Sequence, residues 1–333
     1  MRQQQRGFVL LLTLWVLVIV TMAAAYFGQR VQSAVELAQQ SRQNTQALID
    51  MASTRAEIVY RLSCSTFTEY GLSRGNTTIY LDDRPYQGLG STLLQIQDTR
   101  GLVNLNFIDD ARLNLFLGQL NVAPEQRAHL IDTLRDYTDA DNLHRLNGAE
   151  ADDYRALGLP PPTNRALVSP WQAKQIIGWR STLQLWQDNR LARLASISQS
   201  MGINPNTAPA EVLATIPGVN ADMAQIIMAR RRILPFTHDW QIEQITGVSH
   251  NLPMGMGIVA TPSDTLRITQ SAAGLAWAIQ YNLKLTPIGP NAPWRTDYYT
   301  RIPTVPTTPD SITPLPPRSI APPDKYPAFL SGG

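Results

Sequence analysis

Residues 1–27 read MRQQQRGFVLLLTLWVLVIVTMAAAYF, and the run from Phe8 to Phe27 holds 20 residues without a charge. As a helix it covers ~30 Å, the hydrocarbon thickness of a bilayer. Three readings compete for it: a secretory signal that is cut off, a plain membrane anchor, or an apolar helix retained as the packing spine of an assembly. A cleavable signal has an apolar core of about 7–15 residues followed by small residues. Ala23-Ala24-Ala25 supplies the small residues, but the run before them is too long. Arg2 and Arg6 both precede the run, so the positive-inside bias puts the start of the chain in the cytoplasm and the body beyond Phe27 outside, which in a Gram-negative cell is the periplasm.

The adjoining segment favours a spine. From Gly28 to Leu62 the pattern turns amphipathic, with Val31, Val35, Leu37, Leu48, Met51, Ile58 and Val59 among Gln, Ser, Asn and Thr, and with no proline. A helix that spans the membrane and runs on, ~80 Å in all, is a poor signal but a good rod.

Bulk composition narrows the chemistry. Of 333 residues only 16% are charged; a chain beginning at Phe8 loses Arg2 and Arg6 from its 28 Lys+Arg and so balances its 26 Asp+Glu. A neutral body has no general attraction for nucleic-acid backbones or anionic lipid. The lone Cys64 excludes an intramolecular disulfide framework and a multi-cysteine zinc site, and reads as a buried or partly buried thiol. His129, His144, His238 and His250 stand in no metal-ligand or triad spacing, and no phosphate-binding glycine loop occurs, so no catalytic residue is nominated.

Beyond the rod, residues 77–81, 93–97 and 103–107 have strand character, separated by turn formers, and 265–269 and 275–285 resume it. Helical spacing fills the interval: a run opened by Pro124 with Leu130, Ile131, Leu134 and Tyr137, then 151–157, 181–186, 209–216 and 221–232. The fold class is α+β, with a long N-terminal helix, a small antiparallel sheet and a large all-α domain inserted into it. The expected boundaries are a leader over 1–7, a transmembrane segment over 8–27 and its helical continuation over 28–62. The sheet body comprises 63–107 with 258–286, and the α domain 108–257. Residues 287–333 hold half of the 24 prolines and are expected as an extended, mostly disordered appendage.

Two constellations stand out in the α domain. Asp136, Asp139, Asp141 and Asn142, then Gly148, Glu150, Asp152 and Asp153, gather acidic groups around a loop. It reads either as a solvated loop with helix caps or as a site for a hard cation such as calcium, although the spacing is not that of an EF-hand. Residues 203–250 resemble a helix-hairpin-helix, a module that grips DNA backbones through a Gly-hydrophobic-Gly turn. Here Gly218-Val219 is followed by Asn220 in place of the second glycine, and Arg230, Arg231 and Arg232 are surrounded by Glu211, Asp222, Asp239 and Glu243. No nucleic acid is expected. Asn204, Asn206 and Thr207 lie ahead of Pro209, where their side chains are expected to cap amides at a helix start.

The leader MRQQQRG, with Gly7 directly against Phe8 and the apolar run beyond, resembles the prepilin leader. That resemblance implies a prepilin peptidase that cuts after Gly7 and methylates Phe8. Most pilins and pseudopilins carry a glutamate five residues after the cut, where it meets the amino terminus of a neighbouring copy in the filament; here that position is Leu12. Its absence, with the inserted α domain, resembles the minor pseudopilin K family of type II secretion systems. The resemblance covers residues 1 to about 286. It implies a single-pass inner-membrane protein at the tip of a pseudopilus, with the minor pseudopilins I, J and H and the major pseudopilin as partners. The acidic segment is similar to that family's calcium-binding signature, which implies a structural calcium held by some of Asp136, Asp139, Asp141 and Glu150. The alternatives are a minor pilin of a type IV pilus and, less fitting, a membrane-tethered DNA-binding protein.

Overall fold

The computed structural model describes residues 5–247, 257–286, 292–304 and 311–317. Helix α1 (Gln5–Cys64) is unbroken over 60 residues. It carries no proline, and the hydroxyls of Thr13 and Thr21 donate back to the carbonyls of Leu10 and Leu17, so both threonine hydroxyls of the apolar stretch are met within the helix. Its first two-thirds stand clear of the body, with Trp15 61% and Val31 62% exposed. Burial begins at Ala47 and continues at Met51, Thr54, Ile58 and Leu62, a single helical face. Each large apolar side chain buried there contributes about 1.5–3 kcal/mol.

That face lies on a sheet. After a small meander of β1 (Thr66–Thr68), β2 (Gly71–Arg74) and β3 (Thr77–Ile79) come β4 (Asp82–Gln87) and β5 (Thr92–Asp98). The loop between β4 and β5 hooks onto α1, where Thr54 Oγ1 accepts from Leu89 N at 2.9 Å and Asp50 Oδ2 from Ser91 N at 3.0 Å. The bond from Ser91 N, with one from the Gln46 side chain, holds the Asp50 carboxyl below its ordinary range.

The chain then leaves the sheet. A short 3-10 turn over Thr99–Gly101 leads to β6 (Val103–Asn104), which pairs in parallel with β7 (Ala195–Ser196). Residues 103–107, expected as a strand of the sheet body, therefore belong to the α domain, and the sheet body ends at Asp98. The reason is local: Asn104 Oδ1 accepts from Asn106 N at 3.1 Å and turns the chain after two paired residues.

The α domain contains α2 (Asp110–Gln119), α3 (Pro124–Thr138), α4 (Ala151–Ala156), α5 (Leu183–Trp186), α6 (Arg190–Leu194), α7 (Ala210–Leu213), α8 (Ala221–Ile233) and α9 (Trp240–Thr246). Helix α2 is absent from the sequence-based expectation, yet its signals are ordinary: Asp109 caps it by accepting from Arg112 N at 2.8 Å, and Leu113, Phe116 and Leu117 form its buried face.

The chain re-enters the sheet as β8 (Thr265–Ala272) and β9 (Trp277–Leu285). β5 and β8 are antiparallel neighbours, with Ile96 opposite Ile268, so the α domain is inserted between two adjacent central strands. The expectation for 287–333 is corrected in part. β10 (Trp294–Pro303) pairs antiparallel with β9, and β11 (Thr313–Pro314) pairs in parallel with β4. The sheet order is β10-β9-β8-β5-β4-β11, so the C-terminal segment supplies both edges. Prolines are dense around residues 294–302 but absent within them, and Pro303 ends an edge strand, where a missing N–H is tolerated. Residues 287–291, 305–310 and 318–333 lie outside the described part.

Candidate functional site

The acidic residues converge where α3 ends. Asp136 lies in the last turn of α3 and is fully buried. Its Oδ2 accepts from Arg145 N at 3.2 Å, while its Oδ1 has no hydrogen-bond partner. Asp139 terminates α3, with a buried and unpartnered Oδ1. Asp141 is exposed, and Glu150, immediately before α4, is 3% exposed with neither carboxylate oxygen partnered. One oxygen each from Asp139, Asp141 and Glu150 lie within 4.8 Å of one another. Tyr137 and Tyr154, near these acids in the chain, are both buried, with ring centroids 6.1 Å apart.

The neighbouring basic groups are turned elsewhere. The Arg145 guanidinium reaches Asp110 at 3.0 Å and Asp132 at 3.8 Å, and His144 Nε2 meets Asp153 Oδ2 at 2.8 Å. Burial, followed by the charges of Asp141 and Asp136, raises the Asp139 carboxyl above its ordinary range. Burial, then Asp136 and Asp139, does the same to Glu150. Buried carboxylate oxygens without donors are costly unless a cation meets them. The donor set fits calcium, because it is all oxygen and ligands about 2.3–2.6 Å from such an ion lie no more than ~5 Å apart.

One feature was beyond sequence reading: Asn164 Oδ1 is another buried oxygen without a partner, and Asn164 Nδ2 donates to Asp141 O at 3.0 Å. Gly148, already singled out in the sequence, packs against the Asp136 carboxylate where a Cβ would collide with Oδ2.

The hairpin-like region is occupied with its own bonds. Gly218 adopts φ +80°, but Asn220 caps α8 and its Oδ1 accepts from Met223 N at 2.9 Å, the kind of amide a phosphate would need. Arg231 is pushed down to about 10 by burial and donates to Pro205 O at 2.8 Å; Arg230 donates to Leu234 O and stacks over Phe236. Asn204, Asn206 and Thr207 do not cap the helix after Pro209, which has no side-chain cap. Asn206 instead ties Phe236 to Ala260, and Asn204 and Thr207 reach Asp98.

Gly7 and Phe8 lie in the first turns of α1, and Leu12 is 54% exposed on it. Among the described residues α1 is the one helix long and apolar enough to cross a membrane, with an 18-residue window of mean hydropathy 2.4.

A long helix, apolar in its first part and seated by its last third on a mainly antiparallel sheet, with an α domain inserted between central strands, defines a pseudopilin-type fold. The chain matches a chain of the crystal structure of the GspK-GspI-GspJ complex from the enterotoxigenic Escherichia coli type 2 secretion system, at 15% identity and a TM-score of 0.51. The match covers 80% of this chain and 99% of that one, and it is a likeness of fold. No protein-family model and no curated protein matches the sequence.

Proposed function

We propose that this protein is a minor pseudopilin of the K type, standing at the tip of a type II secretion pseudopilus. The observation that carries this reading is the insertion of the whole α domain between β5 and β8, in a chain whose likeness to the GspK-GspI-GspJ structure covers 99% of the matched chain. The apolar, exposed first part of α1 packs with equivalent helices of other pseudopilins in the inner membrane, with the start of the chain cytoplasmic and the body periplasmic. Prepilin peptidase cuts after Gly7 and methylates Phe8. Leu12 suits a place with no neighbouring amine above it, because a carboxylate in hydrocarbon is costly without a partner. Minor pseudopilins I and J are its immediate partners, with the minor pseudopilin H and the major pseudopilin below.

The broad α domain obstructs addition of a further pseudopilin on top. Deleting residues 109–257 is expected to lengthen pseudopili or misregulate their assembly, seen by electron microscopy of surface-sheared filaments; unchanged length and unchanged secretion would count against the tip role. Within the α domain, Asp136, Asp139, Asp141 and Glu150 would hold a calcium ion, which would supply positive charge to the buried oxygens of Asp136, Asp139 and Glu150 that lack donors. The residues' own part is to link the end of α3 to the start of α4 through the loop between them.

A further inference from the structure

The α domain and the sheet body have separate apolar cores. Val103, Phe116, Trp179, Ile227 and their neighbours form one; Met51, Ile58, Leu94, Ile268 and theirs form the other. Domains that meet without a shared apolar core are by default free to move against each other. Among the bonds that join these two are those of a pair of buried groups of opposite charge on adjacent strands.

Asp98, the last residue of β5, is fully buried. Its Oδ2 accepts from Asn204 Nδ2 at 2.8 Å and Thr207 Oγ1 at 3.0 Å; its Oδ1 accepts from Arg100 N at 3.1 Å and Ser263 N at 2.9 Å. One carboxylate thus holds the chain leaving the sheet, the chain returning to it, and the 204–207 segment of the α domain. Gly101 permits this approach, since a Cβ there would lie 2.7 Å from Thr207 Oγ1.

Arg267 on β8 is 2% exposed. Its Nη1 donates to Ala192 O at 2.9 Å and to Arg193 O, both in α6, while its Nη2 pairs with Asp83 Oδ2 at 3.0 Å on β4. Its cross-strand partner Gln97 donates to Thr207 O at 3.1 Å and so connects the two anchors.

We propose that Asp98 and Arg267 form a two-point clamp that fixes the angle of the α domain on the α1 spine. A single anchor leaves a rotation free. Anchors on two separate segments, 192–193 and 204–207, remove it. Directional bonds to buried charges specify one arrangement, where apolar surfaces would tolerate sliding. Other bonds cross the rim, from Trp171 to Gln280, from Asn189 to Pro303 and from Arg100 to Met201 and Thr261, but these are part-buried or exposed. Because α1 is seated on the same sheet, the clamp ties the α domain's direction to the rod. The clamp does not depend on the tip role.

The test is pulsed electron spin resonance on the full chain in detergent, carrying Cys64→Ala, with spin labels at the exposed positions of Ile49 and Leu183. The parent is expected to give one narrow distance distribution. Asp98→Ala and Arg267→Met are each expected to lose it, and the double variant to broaden it most, with near-ultraviolet circular dichroism still reporting packed cores. If Asp98→Ala does not fold, Asn204→Ala with Thr207→Val removes the same two bonds and reports in its place. A distribution that stays narrow in the anchor variants, even with a lowered melting temperature, overturns the clamp.

Discussion

Gly148 lies against the Asp136 carboxylate so closely that any side chain would collide with it, a Cβ falling 1.7 Å from Oδ2. The contact sets the position of a buried acid whose other oxygen has no donor. Gly148→Ala is therefore expected to displace the loop between α3 and α4 and to cost about 1–3 kcal/mol of stability, as overpacking does. Thermal melts with and without calcium check this; an unchanged melt would show that the loop yields freely.

Calcium itself is expected to stabilise the fold. An ion bound at a free concentration a hundred times its Kd adds about 2.7 kcal/mol. Chelation should lower the melting temperature, and Asp139→Ala with Asp141→Ala should abolish that difference. A melting curve indifferent to chelator in the parent chain removes the metal reading and leaves a solvated acidic loop.

The raised acids make a prediction about pH. For Glu150 and Asp139 the folded, metal-free chain holds its protons more tightly than the unfolded chain does. Between the unfolded and the raised folded values the unfolded state binds fewer protons, so this contribution to stability falls as pH rises through that window. In chelator, Glu150→Gln should gain on the parent as pH rises from the acid end of the carboxylate range toward neutral. With calcium present, the order should reverse at neutral pH. A constant difference in chelator across the range would contradict the assignment.

The C-terminal segment closes both edges of the sheet. Tyr299 stacks on Tyr281 with centroids 5.9 Å apart, and the Arg301 guanidinium lies 4.4 Å from the Trp277 ring centre. Ending the chain at Thr286 would bare the hydrogen-bonding edges of β9 and β4, which are templates for pairing with other chains. The truncated protein should melt lower and associate, measured by light scattering after size-exclusion chromatography. A monomer of unaltered stability would mean that β10 and β11 contribute nothing.

Legibility in the sequence followed the range of the interactions. The rod could be read because its signals, absence of charge over 8–27 and absence of proline to residue 64, are local. Strands β5, β8 and β9 announced themselves by apolar alternation. β10 did not, because the prolines on either side of Trp294–Pro303 dominate the composition of the whole segment. The acid cluster was visible since Asp136, Asp139, Asp141 and Glu150 are close in the chain, whereas Asn164 joins them only through the fold. Asn204 and Thr207 were misread as caps because their partner Asp98 lies 106 and 109 residues earlier. A buried acid at the end of a strand gives no local sign of which distant donors it will meet.

The proposed retention of α1 as a joint between pseudopilins is tested most directly by mass spectrometry of the amino terminus of protein extracted from membranes. The chain is expected to begin at Phe8, methylated on its amino group. A soluble polypeptide beginning beyond Ala25 would contradict the account.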